Sequence, residues 1–99
     1  MGQSGVMTKA VFMPGGYAAL VDDEDFELVS NYYWHAEVSA DKQNTYAVSK
    51  GRLMHRLIMR PKNWQTVDHI NQNGLDNQRR NLRIRDRRVK TSGAGKISG

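Results

Sequence analysis

The sequence predicts an α+β fold: a small mixed domain with N-terminal β-hairpins and helices, followed by two strands around a polar loop and a closing helix. Three observations predict it. Short apolar runs with strand alternation recur along the chain, separated by turns rich in Gly, Pro and Asn. Two other stretches space their apolar residues as a helix does. With 99 residues, 38% of them hydrophobic, the chain supports one domain and a modest core.

Residues 1–9, with Gly2, Ser4 and Gly5, show no periodicity and are expected to be disordered. That leaves a single domain over 10–90 and a Gly- and Ser-rich tail over 91–99. Ala10 to Met13 and Tyr17 to Val21 flank Pro14-Gly15-Gly16, a turn between two apolar runs, and so predict a hairpin. Asp22 or Asp23 suits the N-cap of the first helix. The acidic residues that follow match the positive end of a helix dipole, and Phe26, Leu28, Val29 and Tyr32 or Tyr33 carry helical spacing to about residue 33.

Trp34 to Ser39 and Thr45 to Lys50 alternate as strands around the polar loop 40–44, a second hairpin that Gly51 ends. Leu53, Met54, Leu57 and Ile58 then form one face of a short helix. It stops at Arg60-Pro61, because the residue before a proline is pushed out of the helical region. Thr66 to Ile70 and Leu82 to Arg85 are the last two strands, and a short helix is expected to begin near Asp86. Trp34 and Trp64 read as core aromatics, and His35 and His55 as satisfied packing residues rather than ligands.

Residues able to do chemistry concentrate in 67–83. Asp68 and His69 stand side by side at the end of a run flanked by Val67 and Ile70, so that one can face a metal and the other a water. Asn71-Gln72-Asn73-Gly74 is a turn signal, since Asn and Gly tolerate positive φ, and Asn73, Asp76 and Asn77 read as loop chemistry. The net charge is +5 and the pI about 9.8. Arg79, Arg80, Arg83, Arg85, Arg87, Arg88 and Lys90 crowd one segment, whereas Asp22, Asp23, Glu24, Asp25 and Glu27 crowd another. A chain so divided is expected to present one basic face that neutralises phosphates, which makes DNA the expected partner. Cysteine is absent, which excludes disulfides and Cys-ligated zinc. No stretch approaches the roughly 18 apolar residues of a membrane helix, and the N-terminus lacks the apolar core of a signal peptide, so the expected location is cytoplasmic.

Val67-Asp68-His69-Ile70, Asn73-Gly74, Asp76-Asn77 and Asn81-Leu82-Arg83, in that order, resemble the HNH endonuclease family, of the phage and intron homing type built on a ββα-metal (His-Me finger) motif. Val21 to Asp25, Tyr33 to Ala36 and Met54 to Met59 resemble the segment that precedes the motif, so the resemblance spans residues 10 to 85. It implies that His69 is a general base, that Asp68 is the first ligand of Mg²⁺ or Mn²⁺, and that Asn81 ties the loop between the two strands to support the imidazole. It also implies a second ligand, Asn or His, about 21 positions after the base, where this chain has Lys90. A protonated lysine cannot ligate. Asp86, on the same face of the expected helix, is the remaining downstream carboxylate and the candidate replacement. The expected activity is hydrolysis of DNA phosphodiester bonds by a metal-dependent endonuclease or nickase. The alternative is a catalytically degenerate HNH-fold protein that binds nucleic acid or inhibits a host protein. The tail over 91–99 resembles the linker to a separate DNA-binding domain in longer members of the family.

Overall fold

Gly15 and Gly16 both take positive φ (86° and 84°), which the absence of a Cβ permits, and they fold β1 (Thr8–Met13) back along β2 (Tyr17–Asp22) in antiparallel register. This is the first hairpin of a computed structural model that describes residues 7–86. The closing helix expected after Asp86 and the tail both fall outside the described residues.

Helix α1 (Asp23–Val29) follows β2 directly. Asp22 takes the N-cap position, but its carboxylate does not cap; it accepts the backbone N–H of Arg79 at 3.3 Å. The apolar spacing predicts a helix to residue 33, and the observed helix is four residues shorter. Competing donors end it. The Asn31 side-chain amide reaches the carbonyls of Glu27 and Leu28, and the indole N–H of Trp34 donates to the Val29 carbonyl at 2.8 Å.

β3 (His35–Val38), β4 (Thr45–Ser49) and β5 (Arg52–Leu53) form a second antiparallel sheet in that order. Lys50 and Gly51 turn β4 into β5 with φ of 51° and 78°, the doubly positive pair that a two-residue hairpin loop requires. β5 runs straight into α2 (Met54–Met59), which ends where Arg60 adopts the left-handed conformation ahead of Pro61. β6 (Gln65–His69) and β8 (Leu82–Asp86) then pair antiparallel, with His69 opposite Leu82 and Gln65 opposite Asp86. The chain between them leaves the ribbon. It places β7 (Asp76–Asn77) parallel to β2, completing the order β1-β2-β7, and returns through a 3-10 turn at Arg79–Asn81.

Helix α2 sits among these three small sheets, packing on α1, β4, β6, β7 and β8. Its Met54 is fully buried, with Val21 of β2 and Val29 of α1, and Trp34, Ile58 and Leu82 close the same core. The result is an α+β domain with N-terminal hairpins and helices. No helix among the described residues is long and apolar enough to cross a membrane.

The Asn-Gly turn is built differently from its sequence signal. Gly74 does not take positive φ; the left-handed residue of this loop is Gln72, at 66°. Gly74 is needed for close approach instead, since a Cβ there would lie 2.3 Å from the Thr45 carbonyl oxygen and 2.6 Å from the Tyr46 ring. Its N–H donates to Asn44 Oδ1 at 2.8 Å, fixing the loop against β4. Gly74→Ala is expected to cost about 1–3 kcal/mol in urea unfolding, as overpacking does. An unchanged midpoint would show that the loop lifts off β4 freely.

Candidate functional site

The site is assembled by the polar loop between β6 and β8. Asn81 Oδ1 accepts the backbone N–H of Asn71, and Asn81 Nδ2 donates to Asn71 Oδ1 and to the Asp76 carbonyl, each at 2.9 Å. Asn71 in turn donates to the Asp76 carboxylate, which also takes the Gln78 amide. Asn81 and Asp76 are buried and Asn71 is exposed, so the bonds of Asn81 to the Asp76 carbonyl and of Gln78 to the Asp76 carboxylate are shielded from water while those to Asn71 are partly so, and together they hold the loop. The loop so held delivers Asn77, fully buried, to the end of β6.

Successive strand residues point to opposite faces, so on β6 Asp68 turns towards solvent and His69 inward. His69 Nε2 lies 2.7 Å from Asn77 Oδ1. A carboxamide oxygen can only accept, so the neutral ring carries its proton on Nε2 and keeps its lone pair on Nδ1. The ring is edge-on to His55, with centroids 4.7 Å apart, and tilted against Tyr46 at 5.8 Å. His69, His55 and Tyr46 line a cleft of about 480 Å³, with Ser39, Asp41 and Asn44 on its other wall. Burial, with the charge of His69 and Arg56 in second and third place, pushes His55 down to about 4, so this ring stays neutral beside its neighbour. Two buried polar atoms of this cluster, His55 Nδ1 and Asn77 Nδ2, have no hydrogen-bond partner among the described residues. The arrangement supplies a fixed imidazole, in a polar cleft, able to take a proton from a bound water.

The expected ligands are not gathered around that imidazole. Asp68 Oδ2 accepts from Arg83 at 2.8 Å and lies 3.4 Å from Arg85, and the hydrogen bond from Arg83 is the main reason its carboxyl stays below the usual carboxylate range. The register explains this, because Arg83 stands directly opposite Asp68 and Arg85 two residues on, all on the solvent face of the ribbon. Asp86 continues β8 instead of opening a helix, and its pairing with Gln65 sets it four strand positions, roughly 13 Å, from the His69 level. It does not come together with Asp68. Lys90, Arg87 and Arg88 lie outside the described residues.

The basic segment is also divided. Arg79 grips the buried Asp25 through two hydrogen bonds, 2.9 Å from Nε and 2.8 Å from a terminal nitrogen, and lies 3.5 Å from Glu24. These bonds tie Arg79 to the fold, with its side chain still about half exposed. Asp22, Glu24 and Asp25 are the acidic trio among the described residues close enough to share a cation, and Arg79 already occupies its centre. Arg80, next in the turn, is exposed.

Three members of the cluster were not singled out by sequence: His55, read as a satisfied packing residue, Asn77, read as loop chemistry, and Tyr46. One signal was present for His55. It lies between Met54 and the apolar pair Leu57 and Ile58 on a helix of six residues, a position with little access to water.

Two outcomes test this account. The unfolded chain protonates His55 at its ordinary value while the folded chain resists, so stability should fall as pH drops from about 6.5 to about 4 and this contribution should level off below. The loss is about 3 kcal/mol in urea titrations, and His55→Phe should remove that part of the slope. Arg79→Ala strands the buried Asp25 carboxylate, and should cost about 1–3 kcal/mol of stability while leaving the salt dependence of DNA affinity unchanged. A flatter salt plot with unaltered stability would return Arg79 to the DNA surface.

No family model, no curated protein and no solved structure matches this chain.

Proposed function

We propose that this protein is a DNA endonuclease or nickase of the HNH type, hydrolysing phosphodiester bonds with His69 as general base. One observation carries the reading. A buried imidazole has its Nε2 proton committed to Asn77 at 2.7 Å, which leaves Nδ1 as its basic nitrogen, and the ring lines a polar cleft. Such a ring is held in orientation before substrate arrives, which is what proton transfer from an attacking water requires. Asn81 touches no reacting atom; it is a positioning residue that holds the loop presenting Asn77. Arg80, Arg83 and Arg85, with Arg87, Arg88 and Lys90 further along the chain, neutralise the DNA backbone. DNA as substrate makes the cytoplasm the site of action.

Mg²⁺ or Mn²⁺ at Asp68 belongs to the same resemblance. The described residues do not fit that ion as they stand, because two guanidiniums share the Asp68 carboxylate and Asp86 is at the other end of the ladder. No step is therefore assigned to a metal. These same contacts favour a second reading, a catalytically degenerate HNH-fold protein that binds nucleic acid or a host protein.

Supercoiled-plasmid nicking in Mg²⁺, Mn²⁺ or EDTA separates the two. Weak nicking is expected from the parent chain and none from His69→Ala. Lys90→Asn, which removes a cation from the position where the family carries its second ligand, should raise Mg²⁺-dependent nicking by at least about tenfold. DNA binding without cleavage by either the parent or Lys90→Asn would establish the degenerate reading.

A further inference from the structure

The β3-β4-β5 sheet contributes side chains to two clefts. Tyr46 and Leu53 face the histidine cleft, whereas Ser49 and Arg52, at the opposite parity on the same two strands, border a second cleft of about 730 Å³. Tyr32, Tyr33, His35 and Lys50 complete its wall. Tyr33 is 96% exposed, an aromatic ring left almost bare to water. The Arg52 guanidinium lies over the Tyr32 ring, 4.7 Å from its centroid. Neither Lys50 nor Arg52 forms an ion pair among the described residues. No carboxylate is among the described lining residues; Glu37 stands beside the cleft, bonded to His35 at 2.7 Å.

An exposed aromatic ring and two cations without an ion pair among the described residues, all in one cleft, suit a ligand that is itself a flat ring joined to an anion. We propose that this cleft binds single-stranded nucleic acid, with a base stacked on Tyr33 and the adjoining phosphates paired with Lys50 and Arg52. Duplex DNA keeps its base faces stacked on one another, so the ring of Tyr33 selects unpaired strands. The net charge of +5 favours the same class of ligand. Because this cleft and the histidine cleft have no lining residue in common, the strand held here is bound apart from the proposed site of hydrolysis. The inference rests on the nuclease reading only in taking DNA as the strand, and its own residues are not shared with that site.

The test is fluorescence anisotropy of an end-labelled oligothymidylate of roughly 12 nucleotides at low salt, with unlabelled duplex as competitor. Tyr33→Ala should weaken binding about tenfold, and Tyr33→Phe, which keeps the π-face, should stay within about twofold. Arg52→Ala should reduce the slope of log affinity against log salt by about 0.7, the value for one phosphate contact on a single strand. Circular dichroism of each variant checks that the fold is retained. Parent-like affinity in Tyr33→Ala, equal competition by duplex, or no binding by the parent overturns the proposal. Tyr33-dependent binding without nicking under any ion would sink the nuclease reading and leave this one standing; nicking with binding indifferent to Tyr33 does the reverse.

Discussion

Asn81 holds together the two ends of the excursion between β6 and β8, and most of the site depends on that tie. Its carboxamide, itself buried, meets both the backbone and the side chain of Asn71 and the carbonyl of Asp76. With those points fixed, the loop has little freedom left. β7 is presented to the edge of β2, Gly74 is pressed against β4, Arg79 reaches Asp25, and Asn77 meets His69. Each contact joins the loop to a different element, so one buried hydrogen-bonded knot does for this small domain what a larger apolar core does elsewhere.

His55 Nδ1 and Asn77 Nδ2 are buried with no hydrogen-bond partner among the described residues, and the Asn77 oxygen is given to the His69 ring. His55 adds a neutral aromatic wall on one side and Tyr46 another, so His69 is confined by rings as well as by its hydrogen bond.

Charge is used more for assembly than its uneven distribution along the chain suggests. The acidic segment of α1 and the basic segment after β7 are far apart in sequence, and the fold brings them together as the pairs of Arg79 with Asp25 and Glu24. On the β6-β8 ribbon the same thing happens at short range, where Asp68 takes both Arg83 and Arg85. Lys50 and Arg52, beside two tyrosines, are among the cations that form no ion pair among the described residues.

What the sequence determined by itself is what local chemistry decides. The hairpin at Pro14-Gly15-Gly16, the second hairpin around 40–44, the stop of α2 ahead of Pro61 and the strands at Thr66 to Ile70 and Leu82 to Arg85 follow from periodicity and from residues whose backbone preferences act within a few positions. The inward position of His69 and the outward position of Asp68 follow from strand alternation once the strand is recognised. Tertiary structure alone decided the rest. The parallel pairing of β7 with β2, and the need for Gly74, depend on segments more than 25 positions away. Arg79 and Arg80 are neighbours with the same side chain, both exposed, and what sets Arg79 apart is its bond to the buried Asp25, 54 positions earlier. His55 and Asn77 likewise become members of one cluster through contacts that no local pattern encodes, because a side chain's role is set by what is packed against it, and packing brings together residues that the sequence keeps apart.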